Sequence, residues 1–186
     1  MTFLNATLTF LKRPLFLTPL FFVSACLHQT STHLSTPLST DAILIQEAQD
    51  NQRDGGRYNA DTWIIRRLKK GEYVYDALPG QSAYYTTRET LKRAHCNNVH
   101  YAHLLQIAPN PTLGFRKNIG VLTMENDVHV PFGFAYANPT YGPGGGEQMF
   151  IKDYATTLKL DQDISIDTTF TPEECAALFK KEHPSP

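Results

Sequence analysis

The chain carries two rhythms of apolar and polar residues. From Asp41 to Gln52 (DAILIQEAQDNQ), apolar side chains fall at Ile43, Leu44 and Ala48 behind a capping aspartate. That spacing predicts a short amphipathic helix, ended by Asp54-Gly55-Gly56. Asp61 caps a second predicted helix through Trp63, Ile64, Ile65 and Leu68, and the cations Arg66, Arg67, Lys69 and Lys70 then precede Gly71. Cations in a last turn before glycine suit the helix dipole, so this basic cluster reads as a solvated helix end rather than a phosphate site. The rhythm then shortens. Glu72–Ala77 (EYVYDA) alternates and runs into the turn Leu78-Pro79-Gly80, predicting a strand. Thr86 or Thr87 caps a helix through Leu91 and Ala94. Val99–Ile107 is mostly apolar and ambiguous between helix and strand; it is read as a strand stopping before Pro109. Further strands are predicted at Ile119–Met124, Val128–Phe134 and Glu147–Ile151, with a short helix over Asp153–Leu160. A last helix starts at Thr171, with Pro172 in its first turn. Helices early and strands late predict an α+β domain: a small twisted, mostly antiparallel sheet with short helices packed N-terminal and peripheral to it.

The first 40 residues follow neither rhythm. Lys12 and Arg13 are their only charges, and an apolar run from Leu15 to Val23 follows. A basic start, a short apolar stretch and small residues before a cut site describe an export signal. The run is shorter than the roughly 20 apolar residues that span a bilayer. Val23-Ser24-Ala25-Cys26 resembles the bacterial lipobox, which implies cleavage before Cys26 and lipid attachment to its thiol. Leu27, rather than aspartate, follows the cysteine, which points to the outer membrane over the inner. Leu27–Thr40 (LHQTSTHLSTPLST) holds no Asp, Glu, Lys or Arg and too little apolar surface to offset its ordering entropy. The expected organisation is a signal peptide at 1–25, a lipidated cysteine and tether at 26–40, and one globular domain at 41–186.

Composition narrows this picture only at its edges. With 17 Lys+Arg against 18 Asp+Glu in 186 residues, the chain lacks the basic excess of a domain that binds nucleic acid by neutralising phosphates. Three cysteines are too few for a disulfide scaffold. Cys96 and Cys175 are the two left in an exported domain, and their pairing is allowed by compartment but not decided by spacing. His95-Cys96, His100 and His103 place four potential metal ligands within nine residues. The spacing is unlike common zinc sites, and a strand through 99–107 separates His100 from His103, so no metal site is expected.

The densest chemistry lies in Val128–Ile151, VHVPFGFAYANPTYGPGGGEQMFI. Three consecutive glycines before a strand are costly in backbone entropy and suit a close approach or positive φ. Here the chain resembles the tuberculosis necrotizing toxin domain and related NAD glycohydrolases, which end in small-Gly-Gly-Gly-x-Gln-aromatic behind a Pro-aromatic-aromatic-Gly turn. The matching residues are Asn138-Pro139-Thr140-Tyr141-Gly142-Pro143 and Gly144-Gly145-Gly146-Glu147-Gln148-Met149-Phe150. Leu78-Pro79-Gly80-Gln81-Ser82-Ala83-Tyr84-Tyr85-Thr86 is similar to C-terminal modules of polymorphic bacterial toxins. The resemblance covers roughly residues 72–160. It implies NAD as substrate, no bound cofactor, Gln148 as the catalytic glutamine with Glu147 beside it, and an immunity partner in the producing cell. In such a site Gly145, Gly146 and Phe150 would face the substrate. One departure stands out: where that family places an early arginine against the NAD phosphates, this chain has Tyr75 and Asp76, leaving Arg88 or Arg116 to supply a guanidinium.

Period two places Gln148 and Phe150 on one strand face and Glu147, Met149 and Ile151 on the other. Breaking the ribose–nicotinamide bond passes through a cation-like transition state, as in glycoside hydrolysis. An amide can bind the ribose hydroxyls or the attacking water, and an aromatic face steadies positive charge. Tyr84 and Tyr85 are candidates for that stacking, or equally for a strand end facing the core. Three readings follow: a lipid-anchored NAD glycohydrolase, an ADP-ribosyltransferase, or a non-catalytic envelope lipoprotein on a toxin scaffold. The second lacks the usual Gln/Glu-x-Glu signature at 147–149.

Overall fold

The computed structural model describes residues 38–53 and 62–182. The predicted leader, Cys26, most of the tether, the Asp54-Gly55-Gly56 stop and Asp61 lie outside the described residues. Within them, seven strands form one wholly antiparallel sheet in the order β1-β5-β6-β3-β2-β4-β7. In chain order these are β1 (Trp63–Leu68), β2 (Tyr73–Asp76), β3 (Tyr84–Thr86), β4 (Asn118–Met124), β5 (Val128–Phe134), β6 (Glu147–Phe150) and β7 (Leu158–Ser165). The helices are α1 (Thr40–Arg53), α2 (Arg88–Arg93), α3 (Asn98–Leu104), α4 (Tyr154–Thr157) and α5 (Pro172–Glu182). The α+β class and the antiparallel sheet with short helices are as the sequence predicts.

The two sheet faces bury separate cores. Val74, Tyr85, Leu122, Val130 and Met149 fill one; Tyr75, Ile119, Val121 and Ile164 fill the other with Leu91, Tyr101 and Phe179 from the helices. Alternation along β2 and β4 puts Val74 opposite Leu122 and Tyr75 opposite Val121, so each strand feeds both cores. The Cys96–Cys175 disulfide, with Cα atoms 5.4 Å apart, ties the α2–α3 turn to α5 inside the second core. Helix α1 is capped by Ser39, whose Oγ accepts the amide hydrogen of Ala42, two residues before the predicted cap at Asp41. Thr87 caps α2, one of the two predicted threonines.

Three elements differ from the sequence reading. Trp63–Leu68 is a strand, not a helix, paired along its length with β5 from Trp63↔Gly133 to Leu68↔Val128. Its cations meet carboxylates instead of a helix end: Arg66 binds Glu72 at 2.6 Å and Arg67 binds Asp127 at 2.6 Å. Residues 98–104 are a helix, not a strand, because the Asn97 side chain accepts the amide hydrogens of Val99 and His100 at 3.0 Å. The buried residues Asn98, Tyr101 and Ala102 then recur at helical spacing. Only one helical turn forms in the predicted Asp153–Leu160 helix, and Leu158 begins β7, which pairs with β4.

Candidate functional site

A cleft of about 490 Å³ opens over the central strands of the sheet, within the size range of small-molecule sites. Five walls meet there: the end of α1, the end of β2 with its following turn, β3, the end of α3 with the turn after it, and Gln148 of β6. The register that builds it is Thr86↔Gln148 and Tyr84↔Phe150, so Gln148 and Phe150 do share one face. Met149 and Ile151 pack in the opposite core.

Gln148 is 6% exposed and lines the cleft with Tyr84, Tyr85 and Arg116. Tyr84 is held as a wall: its hydroxyl donates to the Ala48 carbonyl at 3.0 Å, and its ring lies 5.4 Å from Phe150 and 6.4 Å from Trp63. Phe150 therefore stands behind Tyr84, packed with Trp63 and Ala48, and is not among the cleft's lining residues. The Tyr85 ring belongs to the core cluster with Met149 and Val74. Its hydroxyl is buried without a hydrogen-bond partner among the described residues, and burial pushes its pKa up.

Glu147 is placed elsewhere. Its carboxylate accepts the Thr87 hydroxyl, its amide donates to Thr90 Oγ1 at 2.9 Å, and its carbonyl accepts from Thr86. It joins β6 to the start of α2 and does not line the cleft. The two candidate arginines also separate. Arg116 lines the cleft, whereas Arg88 donates to the Phe179 carbonyl at 2.7 Å and stacks 4.8 Å over the Phe179 ring, securing α5.

The triple glycine is a clasp on α3, and neither Gly145 nor Gly146 lines the cleft. The amides of Gly144 and Gly146 donate to the last-turn carbonyls of His103 and Leu104, at 3.2 and 2.9 Å. These are carbonyls that a helix end leaves without intrahelical partners. A Cβ on Gly146 would stand 2.8 Å from the Leu104 oxygen, so the approach itself requires glycine. Gly145 takes φ +85, and its carbonyl accepts from Arg93 at 2.6 Å.

Two cleft residues carried no functional assignment from sequence. Asp76, at the position where the arginine was expected, is 6% exposed, and burial pushes its pKa up to about 7. Hydrogen bonds from the Leu78 and Ala77 backbone and the nearby Arg116 charge oppose that rise but do not cancel it. Its Oδ2 has no partner among the described residues. Gln106 is 3% exposed. Polarity interrupting the apolar run 99–107 was the one available signal for it.

The histidine cluster also differs in geometry from the sequence reading. Helix α3 sets His100 and His103 three residues apart, Cys96 is in the disulfide, and the His103 ring packs edge-on to Phe115. No group of three or more His, Cys, Asp or Glu side chains converges among the described residues. No helix among them is long and apolar enough to cross a membrane.

A profile of the Rhs1 C-terminal toxin domain matches residues 40–153. Among solved structures, the chain is similar to Rhs1-CT in complex with its cognate immunity protein RhsI1. The identity is 30%, the TM-score 0.62, and the match covers 67% of this chain and 96% of that one. A second similarity, to Tse6 in complex with Tsi6, has 14% identity and a TM-score of 0.40, over 67% of this chain and 99% of that one. No curated protein matches the chain.

Proposed function

The chain belongs to the Rhs1 C-terminal toxin domain family, and from that premise we propose that it is an exported toxin domain hydrolysing NAD to nicotinamide and ADP-ribose. The observation that carries this reading is the convergence of Gln148, Tyr84 and Arg116 in one cleft. Gln148 supplies an amide to the ribose hydroxyls or the incoming water. Tyr84 offers a fixed aromatic face to the positive charge that develops as the C1′–nitrogen bond breaks. Arg116 supplies the guanidinium for the pyrophosphate that the early arginine was expected to provide. Nicotinamide departs with the bonding electrons of that bond, water adds to C1′, and one proton must leave the water. A carboxyl with a pKa near 7 is matched to receive it, and Asp76 is such a group on the cleft wall.

Glu147 has no part in this scheme, because its carboxylate is engaged by Thr87. The ADP-ribosyltransferase reading, which would use an acidic residue there, is weakened accordingly. The non-catalytic reading drew on the missing arginine and on the scarcity of NAD outside the cytoplasm; Arg116 on the cleft wall speaks against the first of these. We also propose lipid anchoring through Cys26 and a cognate immunity protein. The anchor is supported by the lipobox resemblance. The partner is supported by the complex in which the related Rhs1-CT was solved.

The test is nicotinamide release from NAD by the purified full chain. Gln148→Ala is expected to lower the rate by about 10²–10³-fold, the scale of losing one donor to a developing charge. Absence of release where a known NAD glycohydrolase works would remove the proposal.

A further inference from the structure

Gln106 is a cleft residue for which hydrolysis, as written above, finds no use. It follows the last turn of α3 with φ +59, a left-handed backbone that asparagine or glycine adopts more readily. Its side chain is almost fully buried on the cleft wall. Both Nε2 and Oε1 lack a hydrogen-bond partner among the described residues. A buried polar group is normally satisfied within the fold, so an amide with both ends unsatisfied at a cleft calls for a partner from outside.

The partner that fits an amide is another amide. A primary carboxamide presents a carbonyl and an N–H side by side, and the two groups close a pair of antiparallel hydrogen bonds. We infer that Gln106 is the specificity residue of the cleft and reads the carboxamide of the nicotinamide ring. This rests on the NAD reading and names the part of the dinucleotide that lies against α3.

The adenine edge of NAD also offers a donor beside an acceptor. Charge decides between the two ends. The nicotinamide ring of NAD is cationic, and Asp76, Tyr84 and Tyr101 line the cleft with Gln106. A carboxylate attracts a cation and does nothing comparable for neutral adenine, whereas the aromatic faces suit either ring. Tyr101, five residues before Gln106, lies within electrostatic reach of Asp76. The glycine clasp fixes the placement of Gln106, since Gly146 holds the Leu104 carbonyl two residues before it.

The test compares binding of free nicotinamide, 3-acetylpyridine and adenosine monophosphate to the full chain with its disulfide intact. The first two are not substrates of the proposed reaction, and 3-acetylpyridine keeps the carbonyl but lacks the N–H donors. The unmodified chain is expected to prefer nicotinamide by at least about tenfold, and Gln106→Met to bring that ratio within about twofold. Adenosine monophosphate binding stays unchanged. The melting temperature holds or rises, because an unsatisfied buried amide has been removed. Gln106→Leu is the second variant and behaves alike.

A ratio that survives both variants overturns the inference, as does selective loss of adenosine monophosphate binding. So does a fall in melting temperature with all three ligands weakened equally, which marks a structural residue. Nicotinamide release with an insensitive ratio leaves hydrolysis standing without Gln106. No release with a Gln106-dependent ratio does the reverse, and no binding of any ligand to the unmodified chain overturns both.

Discussion

Replacing Asp76 with asparagine removes the charge that burial makes costly while keeping the shape of the side chain. In the folded chain this carboxyl keeps its proton to about pH 7, whereas a freely solvated aspartate gives it up near 3.8. Between those values the folded state binds the extra proton, so stability falls as pH rises from about 4 to 7 and is level beyond. Three pH units at about 1.4 kcal/mol each make that loss about 4 kcal/mol. Asp76→Asn should therefore match the unmodified protein at pH 4 and exceed it by about 4 kcal/mol at pH 8. Urea unfolding at one-unit intervals from pH 4 to 8 checks this. At a slope of about 2 kcal/mol per molar, the midpoints should separate by about 2 M at pH 8 and converge at pH 4. A gap independent of pH, or a variant less stable at pH 8, would refute the reasoning. The same substitution should slow NAD hydrolysis, since asparagine cannot accept the water's proton. Gain in stability with loss of turnover is the expected signature of a group held for chemistry.

Other consequences are equally direct. Reducing the Cys96–Cys175 bond frees a loop with a sequence separation of 79, and the chain-entropy model puts the loss at about 4.5 kcal/mol. Denaturant curves with and without reductant measure it, and superimposed curves would contradict it. Gly146→Ala forces a methyl against the Leu104 carbonyl and the Leu105 side chain, each 2.8 Å away, and should destabilise by about 1–3 kcal/mol. Amide chemical shifts over residues 98–106 should move with it, and shifts confined to the loop would disprove the clasp. Arg116→Met should weaken binding of the dinucleotide severalfold, while Arg88→Met should leave it unchanged and speed hydrogen exchange in α5. Equal effects of the two substitutions on binding would overturn the division of roles.

Strands with a period of two and a nearby partner were legible from sequence. The strands β2, β4, β5 and β6 were found because their alternation is local, and α2 and α5 because Thr87 and Pro172 mark their starts. Trp63–Leu68 was misread because apolar residues at 63, 64, 65 and 68 fit helical spacing and show no clean period of two. Its choice of strand depends on β5, more than sixty residues downstream. The cations before Gly71 then looked like a helix end, since Glu72 and Asp127 show as their partners only in three dimensions. Helix α3 was missed because its apolar run hid the Asn97 cap, and β7 because an edge strand with five consecutive exposed residues carries almost no hydrophobic alternation.

The same distinction runs through the site. Gln148 and Arg116 were readable as chemical types near a motif. The importance of Asp76 and Gln106 lies in burial without full satisfaction, and burial is a property of the fold. A motif scan sees an aspartate where an arginine was expected and counts a loss. The folded chain turns that position into a carboxyl with a raised pKa, and Arg116 lines the same cleft.

The triple glycine ties these observations together. Read as sequence, it suggested backbone brought close to a ligand. The close approach is real, but its target is the last turn of α3, through the Gly144–His103 and Gly146–Leu104 hydrogen bonds. The loop runs directly into β6, where Gln148 stands two residues beyond Gly146, and its grip on Leu104 sets Gln106 two residues beyond that carbonyl. One loop thus sets the positions of both glutamines, which reach the cleft from different elements. A substitution in the loop should disturb catalysis and specificity together, although no loop glycine lines the cleft. That coupling gives a physical reason for the glycines beside Gln148: the helix must come close enough for its own glutamine to share the cleft.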